Sequence, residues 1–84
     1  MGIFENIINH KINTITTGEL LNYAKQFQIS ITREKAEKIA SILRGRNANI
    51  FNESDRVQII RDIARIAGKD TANEVNRLFL KFTK

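Results

Sequence analysis

The chain has no cysteine, no proline and a single histidine, and none of its apolar runs is long. Without cysteine there is no disulfide, no thiolate nucleophile and no thiolate metal ligand. One imidazole is too few for the histidine-rich sets that hold zinc. Two of the staples that small domains commonly use are thereby excluded, leaving helix packing or a partner subunit. The lack of proline leaves helices free to run uninterrupted. The four glycines, at 2, 18, 45 and 68, are isolated, so no glycine-rich loop can cradle a phosphate. No apolar run reaches the ~18 residues that span a bilayer. The segment Met1-Gly2-Ile3-Phe4-Glu5-Asn6 lacks the positive head and long apolar stretch of a secretory signal. Asn6 also leaves the myristoylation pattern that Gly2 begins incomplete. A reducing compartment suits a cysteine-free chain, and the expectation is a cytoplasmic protein without a membrane role.

What is present is one domain's worth of chain, residues 1–84. The net charge is +5 and it is unevenly distributed. Residues 1–30 carry Lys11 and Lys25 against Glu5 and Glu19, which cancel, so the whole excess lies in residues 31–84. A basic half raises the prior for an anionic partner. Acidic groups are interleaved throughout it, so no block of positive charge forms.

Periodicity and caps predict a compact all-α domain of five helices at about 2–11, 17–28, 33–44, 53–67 and 71–82. The first stripes Ile3, Phe4, Ile7 and Ile8. Thr16-Thr17-Gly18-Glu19 is a capping box ahead of the second, whose apolar face is Leu20, Tyr23, Ala24 and Phe27. Thr32 caps the third, which stripes Ala36, Ile39, Ala40 and Leu43 and carries Glu34 and Lys38 in the favourable i,i+4 order. Gly45 is its left-handed stop. Asn52 caps the fourth, with Val57, Ile60, Ile63, Ala64 and Ala67 expected in the core and Gly68 as terminator. The fifth starts at Asp70 or Thr71, where Thr71-Ala72-Asn73-Glu74 reads as a second capping box. It stripes Ala72, Val75, Leu78, Phe79 and Phe82. Residues 13–16 and 49–51 alternate like short extended segments; their antiparallel pairing would give the outline of an EF-hand pair, an option the pattern leaves open.

Calcium chemistry is nevertheless excluded. From Asn47, the fifth and twelfth loop positions are Phe51 and Gln58, where an EF-hand needs oxygen ligands and a bidentate Glu. His10 reads as a lone surface imidazole. Glu34 and Glu37 lie among Arg33, Lys35 and Lys38, a solvated face, while Glu53 and Asp55 sit where a helix dipole already favours anions. No nucleophile stands beside a base. The expectation is a non-enzyme with no cofactor, no metal and no small-molecule substrate.

Binding remains. Glu19 to Leu43 resembles in outline a helix-extension-helix module of the SAP type, which binds DNA; a helix-turn-helix fits less well because Gln28 falls at the glycine position of the turn and Glu34 and Glu37 at apolar ones. Arg61 and Arg65 are spaced i,i+4, and Arg44, Arg46 and Lys69 flank the ends of the fourth helix, a set that can contact phosphates. Asp62 competes for Arg65. No aromatic side chain interleaves these cations, so stacking on single strands has no support. The other candidate surface is apolar: Ile42, Phe51, Ile59, Ile66 and Leu80 lie off the main stripes. The sequence reading therefore favours a protein-interaction module, self-associating as a homo-oligomer, over nucleic-acid binding by a basic face.

Taken together, the run from Ile15-Thr16-Thr17-Gly18-Glu19-Leu20-Leu21-Asn22-Tyr23-Ala24-Lys25, the run Ile29-Ser30-Ile31-Thr32-Arg33-Glu34-Lys35-Ala36-Glu37-Lys38-Ile39, and the segments Leu43-Arg44-Gly45-Arg46-Asn47, Asn49-Ile50-Phe51-Asn52 and Asn76-Arg77-Leu78-Phe79 resemble a family of small proteins of unknown function from spore-forming Gram-positive bacteria. The resemblance implies a bacterial cytoplasmic protein and assigns no site residues.

Overall fold

The computed structural model describes residues 3–83, and the expected helix start at residue 2 lies outside them. Five helices follow one another: α1 Ile3–Asn13, α2 Thr17–Gln26, α3 Arg33–Leu43, α4 Glu53–Ala67 and α5 Lys69–Phe82. The fold is all-α, with no strand among the described residues. α3 packs between α2 and α4, and α4 packs along α5.

The predicted starts hold for α2, α3 and α4. Thr16 and Glu19 close a reciprocal box: the Glu19 N–H donates to Thr16 Oγ1 at 3.1 Å and the Thr16 N–H to Glu19 Oε1 at 3.0 Å. Thr32 accepts from Lys35 N–H and Asn52 from Asp55 N–H. Each satisfies a backbone donor that a helix start leaves unpaired.

The ends were less readable. α2 stops two residues early because Gln28 takes φ 58, and the Ile29 and Gln28 N–H groups donate back to Ala24 O and Lys25 O. This is a Schellman stop with glutamine where glycine is usual, so no residue type announced it. α3 ends at Leu43 with Arg44 as its cap, and Gly45 adopts the predicted left-handed φ of 76. α5 begins two residues early, at Lys69. Gly68 is the last cap of α4 and the first of α5, at φ 95 and ψ 156, a region essentially reserved for glycine. The box expected at Thr71 does not form: Thr71 and Ala72 are buried inside the first turn, and Glu74 pairs with Arg77 instead. The expected Glu34–Lys38 pair is absent from the ion pairs among the described residues.

Core faces are rotated at two places. On α4 the buried line is Ile59, Ile63 and Ala67, while Val57 is exposed and Ile60 and Ala64 are half-buried. With neighbours on two sides, α4 buries a face centred between the two stripes that periodicity offered. On α1 the expected stripe divides: Ile8 packs on the core and Ile12 is buried, but Ile3, Phe4 and Ile7 face solvent.

Residues 13–16 and 49–51 do not pair as strands. Ile15 and Ile50 are both fully buried, so each segment is anchored by one core side chain. Asparagines on α1 make the junction that a strand ladder would have made. Asn9 Oδ1 accepts from Ile50 N–H at 3.0 Å, and Asn9 Nδ2 donates to Asn49 Oδ1 at 2.8 Å. Asn13 Oδ1 accepts from Asn47 N–H at 2.7 Å, and Asn13 O accepts from Gly45 N–H at 2.9 Å. A carboxamide presents a donor and an acceptor together, so one side chain can serve a loop as a neighbouring strand would. Asn9→Ala leaves the Ile50 N–H without its acceptor and is expected to cost ~1–3 kcal/mol of unfolding free energy. Asn6→Ala, one turn away on an exposed position, is expected to lie within about 0.5 kcal/mol of the parent; urea midpoints of the two variants check the contrast.

Candidate functional site

The polar candidates fall into three places. Arg46, from the α3–α4 loop, and Arg65, on α4, converge on Asp62, at 2.7 and 3.5 Å. Arg46 and Asp62 are each 28% exposed, and a partly screened pair of this kind is worth on the order of 1 kcal/mol or less. Its larger effect is on charge, since Asp62 engages two of the five cations proposed for phosphate and cancels the charge of one. Arg61 and Lys69 line a groove of about 250 Å³ between α4 and α5, together with Val57, Ala72, Asn73 and Asn76, and no carboxylate shares that lining. Arg44 is exposed at the end of α3 and belongs to neither group.

The apolar candidates divide too. Ile59 is fully buried and leaves the set of contact residues; its burial on the second side of α4 explains why it lay off the stripe. Ile42 and Phe51 are half-buried against the core. Ile66 and Leu80 are 40% and 37% exposed. The larger apolar surface comes from the expected stripe of α1 and not from the candidate interface residues: Ile3, Phe4 and Ile7, at 79%, 68% and 61% exposed. A signal for part of it existed. The i+4 line through Ile3 and Ile7 runs on to charged Lys11; Phe4 shares its line with Ile8 and Ile12, which pack, so spacing alone did not set it apart.

Beside this patch lies a groove of about 180 Å³ lined by Ile7, Ile8, Lys11, Ile12, Tyr23 and Phe82. Its far wall is an aromatic cluster: Phe82 meets Tyr23 edge-to-face at 5.5 Å and Phe27 at 5.8 Å. Lys11 at the rim is held by Glu19 at 2.7 Å, so the groove's one cation is already neutralised. A more polar recess on the other side of α1, lined by Asn6, Asn9, His10, Asn13, Asn47, Ala48 and Asn49, is largely the bracing network described above. Among the described residues no three His, Cys, Asp or Glu side chains converge, and no helix is long and apolar enough to cross a membrane.

The Lys11–Glu19 pair sets a pH signature. The Lys11 hydrogen bond, then the Thr16 N–H, hold the Glu19 carboxyl below its ordinary 4.5, and the same bond raises Lys11 above 10.5. The stabilisation from Glu19 is complete above about 4.5 and is lost as pH falls through its lower folded value; that from Lys11 is complete below 10.5 and is lost as pH rises through its higher one. Glu19→Gln keeps the capping acceptor and removes only the charge. Its denaturation midpoint is expected below the parent's at neutral pH, with the gap closing as pH drops below 4, as a urea series in acetate and phosphate buffers reads directly.

A profile described as a protein of unknown function (DUF2624) matches residues 1–83. The chain is 45% identical over 83 residues to an uncharacterized protein of Bacillus subtilis (strain 168), YqfT, a match that covers 99% of each. No solved structure gives a significant match.

Proposed function

Because the chain belongs to the DUF2624 family of proteins of unknown function, whose description assigns no activity, we propose from its surface that it is a non-catalytic helical interaction module that docks through the apolar end of α1 and associates with itself. The observation that carries this reading is the exposure of Ile3, Phe4 and Ile7 on successive positions of one helix face. Isolated surface hydrophobes need no explanation, but a contiguous set beside an apolar groove marks a partner site. The role of Ile66 and Leu80 is secondary, since each is exposed to a lesser degree.

Self-association suits the energetics of a chain this size. A core of 17 buried apolar residues among those described, in a chain without cysteine, gains from covering further apolar surface. A non-catalytic role is supported by the residue chemistry, with no cysteine and one exposed histidine. Cytoplasmic residence belongs to the same proposal and is supported by the cysteine-free composition.

A second reading rests on the Arg61–Lys69 groove. Two cations and two carboxamides share a cleft without a carboxylate, which suits a phosphate backbone better than the five-residue set taken together. Here Arg61, Lys69 and exposed Arg44 would carry the contacts, and Arg46 and Arg65 would contribute little while Asp62 holds them.

Light scattering across a micromolar concentration series is expected to show mass rising towards a dimer, and a monomer throughout ends the self-association reading. For the second reading, a retarded DNA or RNA probe at low salt is expected to be released by added salt, with the log–log slope falling by about 1 for each of Arg61→Ala and Lys69→Ala. No retardation at low salt removes it.

A further inference from the structure

Resting on the self-association reading, we infer that two copies pair through antiparallel α1 helices about a two-fold axis at Ile7, each placing its Phe4 ring in the groove that the other copy forms between Ile8, Tyr23 and Phe82. The patch carries a projection and a recess on the same helix. Phe4 is 68% exposed at the start of α1, and the groove opens around residues 7–12 of that helix. A surface holding both halves of a contact is self-complementary, which is the requirement of an isologous dimer.

The spacing agrees with this arrangement. From Phe4 to the middle of the groove is about five to six residues, or about 8 Å of helix rise. A two-fold axis midway falls at Ile7, the residue that belongs to both the exposed stripe and the groove lining. Antiparallel α1 helices also set their dipoles head to tail.

Charge favours a second copy over an anionic surface. The excess of +5 lies in residues 31–84, and Glu5, Lys11, Glu19 and Lys25 sum to zero in residues 1–30. On α1 itself Glu5 and Lys11 cancel, so the two paired helices bring no net like charge of their own together. A helix built to lie on an anionic membrane carries Lys and Arg along its polar face; here that face holds Asn6, Asn9, His10 and Asn13.

The area sets the strength. Ile3, Phe4 and Ile7 offer on the order of 400 Å² of apolar surface, against ~800 Å² per partner in a standard stable interface. The groove walls, already largely buried, add only a little to this, so the interface belongs to the small, weak class and the dimer is expected to be readily reversible on dilution.

The absence of native cysteine makes the test clean. Ile7→Cys under mild oxidation is expected to form a disulfide-linked dimer rapidly, while Leu80→Cys stays largely monomeric. Phe4→Asp is expected to weaken association about 30-fold or more, and at dilutions where the parent is monomeric the two are expected to melt alike, because Phe4 is largely exposed in its own chain. If the parent is monomeric by light scattering, self-association itself fails. If the parent dimerises but Phe4→Asp dimerises equally and Ile7→Cys cross-links no better than Leu80→Cys, this geometry fails and the broader reading stands. Dimerisation lost in Phe4→Asp only through a lowered melting temperature, with Ile7→Cys unlinked, also overturns it.

Discussion

One carboxamide decides where α1 lies. Asn9 takes the Ile50 N–H on its oxygen and gives its amide to Asn49, and Asn13 repeats the arrangement one turn later with Asn47 and Gly45. The loop from residue 45 to 52 has no strand or helix to satisfy its backbone, so these contacts do what a ladder would do. Because the polar face of α1 is turned onto that loop, Ile8 and Ile12 reach the core, and Ile3, Phe4 and Ile7 are left towards solvent. The candidate docking surface is thus a consequence of where four asparagines meet.

The remaining helices are tied by a second device. Gly68 turns α4 into α5 within a single residue, at a backbone conformation that other residues adopt only under strain. The sharp turn lays α5 along α4, brings Thr71 and Ala72 into the interior, and opens the cleft that Arg61 and Lys69 share. The same packing carries Phe82 across to Tyr23 and Phe27, which builds the aromatic wall of the α1 groove.

Charge is divided unevenly along the chain. The half that holds α1 and α2 is neutral, and its one close ion pair, Lys11–Glu19, sits at the rim of the apolar groove. The other half carries the excess positive charge, partly offset where Asp62 engages Arg46 and Arg65. The α1 groove and the Arg61–Lys69 cleft share no lining residue, so the two proposals for function concern different surfaces and need not compete.

Helix number, the starts of α2, α3 and α4, and the family were legible in the chain alone. Thr16, Thr32 and Asn52 each bond a backbone donor within three residues, an interaction that depends only on local spacing, and the resemblance rested on contiguous segments. Contacts across distance were not legible. The stop at Gln28, the loss of the Thr71 box and the tilt of the α4 face towards Ile59 all depend on what packs against each helix. Nor could periodicity tell that Ile3 and Phe4 stay outside, since a helical stripe says which residues share a side and not what covers it. The amino-acid order by itself determined five amphipathic helices, the N-caps of α2, α3 and α4, and a basic C-terminal half. Tertiary structure decided which stripe each helix buries and hence which apolar residues remain as surface, because burial is settled by neighbours far away in sequence.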